Sequence, residues 1–182
     1  MSADFAQSET RLNLMRAFAG ESQARNRYTF AAGLARRKNL YVLESVFTFT
    51  ADQERAHAKV FYTYPVELFP DILDHLRSAQ HNEYQEWDHD YAGFSRTAQE
   101  EGFPEIAHIF SMIAGIEKTH GDRFGKFAEL LEQDKLFVSD VQVKWMCLNC
   151  GQIIDATMAP AVCPVCKHPQ GYFIRWEMAP FE

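Results

Sequence analysis

Across its 182 residues the chain has no run approaching 18 uninterrupted apolar residues, which excludes a membrane-spanning helix of ordinary length. The opening stretch MSADFAQSETRLN carries acids and lacks the basic segment and apolar core of a secretory leader, so a cytoplasmic protein is expected. Positive charge is scarce: 18 Lys and Arg face 25 Asp and Glu, a formal net charge of −7, and no basic cluster is interleaved with aromatics. Nucleic acid and membrane partners are excluded on those grounds. Cysteine is absent before residue 147, which rules out a disulfide framework for most of the chain. The four that occur, Cys147, Cys150, Cys163 and Cys166, form two C-x-x-C pairs separated by twelve residues. That is the spacing of one tetrahedral metal site, which zinc or iron would fit equally well.

What is present is a 47% apolar composition, enough for one medium domain with a proper core plus a small module. Helical periodicity predicts helix A over 8–37, with Ser8 as cap, Leu14, Phe18 and Ala24 flanking Glu21, and Asn39 in the turn that follows. Helix B is predicted over 41–64, with Phe47, Thr50, Ala51, Glu54, His57 and Phe61 on one side and Pro65 as its stop. Helix C starts at Pro70-Asp71 and ends at Gly102; helix D starts at Pro104 and runs to 133. The division is therefore a bundle over 1–135, a linker over 136–144 and a module over 145–182. The module is too short for an apolar core of its own and needs the metal as a staple.

Two Glu-x-x-His patterns, Glu54/His57 and Glu117/His120, lie 63 residues apart, each with another glutamate upstream, Glu21 and Glu83. On a helix, residues three apart share a face, so each pattern can present a carboxylate oxygen and an imidazole nitrogen to the same ions. Two such helices and one glutamate from each of two others enclose a dinuclear site. The pattern alone is weak, because Glu86/His89 and Glu105/His108 repeat it. Winding helix D puts Glu117 and His120 inside an apolar stripe of Ile106, Ile109, Phe110, Ile113, Phe124, Phe127 and Leu131, with Glu105 and His108 at its edge or beyond. On helix C the inner stripe of Ile72, Leu76, Ala79, Trp87 and Phe94 includes Glu83, Glu86 and Asp90 but leaves out His89. Five buried glutamates without cations would each cost several kcal/mol when ionised. Carboxylates with imidazoles favour iron or manganese.

The stretches FAGESQARNRY (18–28), TADQERAHAK (50–59), NEYQEW (82–87), EEGF (100–103) and CPVCKHP (163–169) together resemble rubrerythrins over nearly the whole chain. The resemblance implies a mainly α protein, a ferritin-like four-helix bundle followed by a small rubredoxin-like module with a four-cysteine metal site. It implies two irons in the bundle and one iron in the module, and reduction of hydrogen peroxide to water in oxidative-stress defence. By the same resemblance Glu54 and Glu117 bridge the irons, Glu21 and Glu83 are terminal ligands, and His57 and His120 supply nitrogen. Glu86 is the extra carboxylate of the family, exchanging with His57 as the oxidation state changes. Tyr28 and Tyr91 match tyrosines that hydrogen-bond the ligand carboxylates. The resemblance further implies a homodimer arranged head to tail, so that the module of one chain feeds the di-iron site of the other. The electron donor it implies is an NAD(P)H-dependent reductase or a rubredoxin.

The chain departs from that pattern in three places. Only 25 residues separate His57 from Glu83, about a dozen fewer than the family commonly has. Parallel helices B and C would need a link of roughly 29 Å, whereas residues 64–71 reach at most about 25 Å. A domain-swapped dimer is therefore expected, with helices A and B pairing with C and D of a partner; the alternative is closure within one chain by shortened helices. Asp90 stands where the family is usually apolar, as a proton carrier or a solvated acid. Gln152 and Ala156 replace an aromatic and a glycine beside the cysteines, which changes the sulfur environment. The competing functions are iron oxidation and storage, and a scaffold with structural zinc in the four-cysteine module.

Overall fold

The computed structural model describes residues 4–63 and 71–179, which fall into two compact units, Met1–Pro70 and Asp71–Glu182. The expected end of helix B at Tyr64 and Pro65, and the start of helix C at Pro70, lie outside the described residues.

The first unit is a helical hairpin of α1 (Glu9–Arg37) and α2 (Tyr41–Thr63). Ser8 caps α1, its side chain accepting from the Arg11 backbone N–H. Asn39 turns the chain in the left-handed region at φ 58, and the Leu40 N–H donates back to the Ala35 carbonyl at 3.0 Å. That short closure makes the two helices antiparallel neighbours. They meet over buried small residues, Ala32 and Ala35 on one helix and Ala51 and Ala58 on the other.

In the second unit, α3 (Ile72–Gln85), a π-helical turn (Glu86–Asp90) and α4 (Tyr91–Glu100) form one continuous run, and α5 (Pro104–Glu132) returns along it. Gly102, at φ 86, supplies the left-handed turn before Pro104. The face of α5 that meets α3 and α4 is lined by small residues, apart from the isoleucine stripe that carries Glu117 and His120. Ala107, Ala114, Gly121 and Ala128, at seven-residue intervals, are buried there with Gly125. Ile106, Ile109, Ile113 and Ile116 stay 48%, 54%, 38% and 49% exposed. A bundle helix needs two packing faces, and here glycine and alanine serve the hairpin while the large apolar residues form the other face.

Gly121 meets the most rigid of these neighbours, since a Cβ there would stand 2.5 Å from the Tyr84 ring. Gly121→Ala is expected to lower stability by about 1–2 kcal/mol net, because the clash exceeds the roughly 1 kcal/mol that alanine gains over glycine in a helix. Gly125→Ala meets only the flexible end of Gln80 and should cost less; thermal melts of the two variants check the order.

After α5, β1 (Val138–Cys147) pairs antiparallel with β2 (Ile153–Met158) on one side and β3 (Phe173–Arg175) on the other. Strand β1 begins inside the span 136–144 that reads as a linker, and the register shifts between Val138 and Val143. Phe137 packs against the module core of Trp145, Cys147, Ala159, Cys163 and Phe173. Arg175 ties the incoming chain down, donating to the Lys135 and Val138 carbonyls at 3.0 and 2.6 Å.

Candidate metal centres

Each helical hairpin gathers half of the predicted carboxylate and imidazole set. In the first unit, ligand atoms of Glu21, Glu54 and His57 lie within 4.8 Å of one another. His57 Nδ1 stands 3.0 Å from Glu54 Oε2 and 3.9 Å from Glu21 Oε1. In the second, Glu83, Glu117 and His120 converge in the same way, with His120 Nδ1 2.7 Å from Glu117 Oε2 and 3.4 Å from Glu83 Oε2. The two clusters repeat one construction: the i, i+3 pair fixes a carboxylate and an imidazole on one helix, and the antiparallel neighbour brings the second carboxylate.

The electrostatics show what these clusters lack without an ion. A hydrogen bond shared with Glu54, then burial and the Glu54 charge, hold the Glu21 carboxyl above its ordinary range. Burial, then a hydrogen bond and charge from Glu117, do the same for Glu83. Two carboxylates held this close repel one another, and a cation between them would relieve that repulsion, so the donor set fits a hard or borderline metal ion. Metal loading then releases protons and weakens as the pH falls.

Glu86 lies outside both clusters, at the start of the π turn. The Tyr91 N–H bonds back to the Glu86 carbonyl, an i→i+5 step that spends an extra residue on the turn and brings Tyr91 onto the face of Glu86. Burial, then the charge of Glu86 and a hydrogen bond to it, push the Tyr91 phenol up. Asp90, within the same turn, is half-buried, and its carboxylate pairs with the 76% exposed His89 at 2.8 Å. His108 is exposed as well, as the helical winding predicts. Tyr28 packs its ring against Phe47, centroids 6.2 Å apart.

The four cysteines form the third cluster. All are free thiols, and the Sγ atoms of Cys147 and Cys166, and of Cys150 and Cys163, stand 3.7 Å apart. Disulfide sulfurs would be about 2.0 Å apart, whereas sulfurs at about 2.3 Å from a shared tetrahedral ion are separated by roughly 3.8 Å. The spacing is that of an ion cage. The His168 backbone N–H, with neighbouring side chains, holds the Cys166 thiol down to about 5. At Cys150 the Gln152 backbone N–H favours the thiolate, but desolvation and the other three thiols push it up to about 12. Four thiolates held this close repel one another, and a cation at their centre would offset that repulsion. Gln152 and Ala156 sit beside it; Ala156 packs against the module core and accepts a hydrogen bond from Trp145 at 3.1 Å through its backbone carbonyl.

The members of all three clusters are legible in the sequence; the π turn is not, because no pattern of residue types signals it. Among the described residues no helix is long and apolar enough to cross a membrane.

Comparison with known proteins agrees with this geometry. A family model described as Rubrerythrin matches residues 13–128 and 74–146, and one described as Rubrerythrin, rubredoxin-like domain matches residues 145–174. A rubrerythrin of Clostridium perfringens is 42% identical, covering 91% of this chain and 93% of its own. One of Nitratidesulfovibrio vulgaris is 38% identical with the same coverage. Among solved structures, nigerythrin in a mixed-valence state is 27% identical over 93% of this chain and 87% of its own, with a TM-score of 0.35.

Proposed function

The chain belongs to the rubrerythrin family, a family of di-iron proteins with a rubredoxin-like module, and from that premise we propose that it reduces hydrogen peroxide to water in oxidative-stress defence. Residues 1–135 would supply the di-iron bundle and 145–182 the four-thiolate iron module, joined through 136–144. Glu54 and Glu117 would bridge the two irons, Glu21 and Glu83 would be terminal ligands, and His57 and His120 would complete the set. Cys147, Cys150, Cys163 and Cys166 would hold the third iron. When bound, the iron pair supplies the two electrons that peroxide reduction needs, and the four-thiolate iron returns them one at a time.

The observation that carries this reading is Glu86. Storing or oxidising iron needs neither a seventh ligand nor a four-thiolate electron carrier, and this chain has residues for both. In this reading the Tyr91 hydroxyl would orient the Glu86 carboxylate, and Glu86, which stays outside the three-residue cluster, would alternate with His57. Tyr28 would orient a carboxylate in the same manner. Glu86→Ala is expected to slow peroxide consumption by about 10–100-fold while iron content stays near that of the unaltered protein. Loss of both irons from the variant would make Glu86 an ordinary structural ligand. Unchanged peroxide turnover with intact iron oxidation would favour the ferroxidase.

We also infer a homodimer in which α1 and α2 of one chain close on α3, α4 and α5 of its partner. Three observations support the exchange: each hairpin holds a half-set of ligands, the isoleucine face of α5 is exposed, and the link over 64–71 is short. The reading places the protein in the cytoplasm, fed by an NAD(P)H-dependent reductase or a rubredoxin.

A further inference from the structure

On the hairpin of α1 and α2, a cleft of about 390 Å3 opens between the two helices. Its floor is apolar: the Phe18 and Tyr62 rings, centroids 5.0 Å apart and tilted by 43°, with the buried Ala58 leaving space between the helices. Its rim is cationic, formed by Arg25, Arg55 and Lys59, and no carboxylate lines it. Among the described residues neither Arg25 nor Lys59 has an acid within ion-pair range, and Arg55 has only Asp52, at 3.9 Å between two largely exposed side chains. In a chain of net charge −7, three cations around an acid-free cleft run against the overall balance.

We propose that this cleft binds a planar aromatic anion of mononucleotide size. The volume falls within the roughly 300–1,000 Å3 of small-molecule sites, which combine an apolar lining with a few converging polar groups. The aromatic floor offers ring faces and edges for stacking. Two guanidinium forks and an ammonium supply the donors that a phosphate or carboxylate needs. Arg25 follows Glu21 by one turn of α1, and Arg55 adjoins Glu54 on α2, so the occupant shares helical turns with the metal-ligand half-set. The cleft is invisible in the sequence because its cations and aromatics are divided between two helices. Its binding does not depend on peroxide being the substrate.

Flavin mononucleotide carries both features, and riboflavin has the ring without the phosphate. Fluorescence titration of the full-length, iron-loaded protein is expected to give a micromolar Kd for flavin mononucleotide, at least about tenfold tighter than for riboflavin and weakened by salt. The double variant Arg25→Gln/Lys59→Gln, altered only at exposed positions, should lose at least about tenfold in affinity for flavin mononucleotide and little for riboflavin. Equal affinity for the two probes, an unchanged Kd in the double variant, or no binding below millimolar concentration would each overturn the proposal.

Discussion

Co-expression of a Glu54→Ala chain with a Glu117→Ala chain is expected to restore iron binding and peroxide turnover that neither variant has alone. Glu54 belongs to the first hairpin's ligand cluster and Glu117 to the second's. In an exchanged dimer of one chain of each kind, one site receives both altered hairpins and the other receives neither. Random pairing then leaves about a quarter of all sites intact, against none in either homodimer. If each chain closed its own bundle, every site would keep one altered glutamate and mixing would restore nothing. Two differently tagged chains, purified through both tags, make the count direct: one intact di-iron site per mixed dimer supports exchange, and none refutes it.

Cys163→Ser is expected to unfold the C-terminal module and leave the di-iron bundle loaded. Cys163 is fully buried in the core around Trp145 and is held 3.7 Å from Cys150 by the cage geometry. Four-thiolate sites in small domains contribute on the order of 10 kcal/mol of apparent binding free energy, more than a module of this size can replace by packing. The helical ligand clusters share no residue with the module, so their iron should remain. The variant should therefore accept a single turnover of peroxide and then stop, because the route that returns electrons is gone. Zinc in the unaltered cage separates the two roles of the metal: the module should stay folded while electron return is lost. Proteolysis of β1 together with repeated peroxide additions reads both.

The helix limits were legible because their stops are chemical: Ser8 as cap, Asn39 and Gly102 in the left-handed region, and Pro104 in a first turn. The ligand clusters were legible because an i, i+3 pair on a helix has few ways to point. Three features were not. The π turn at Glu86–Asp90 depends on a local choice of hydrogen-bond partner, to which residue type is nearly blind. The small-residue face of α5 does not stand out because large apolar residues dominate any periodicity sum, whereas the contact with α3 and α4 uses Ala107, Ala114, Gly121 and Ala128. The start of β1 was hidden because 138–144 is mixed in polarity and shifts register partway, so neither a period of two nor one of 3.6 stands out.

An anaerobic titration tests the electron route from the cysteine cage to peroxide most directly. The purified protein is reduced until its visible colour is gone, and one equivalent of hydrogen peroxide is added. Rapid return of ferric-thiolate absorbance is the predicted result, since it requires iron in the cysteine cage and electrons passing from that cage through the di-iron site to peroxide. Absence of colour at every stage, or its return only with dioxygen, would contradict the account and leave a zinc-stapled protein or a ferroxidase.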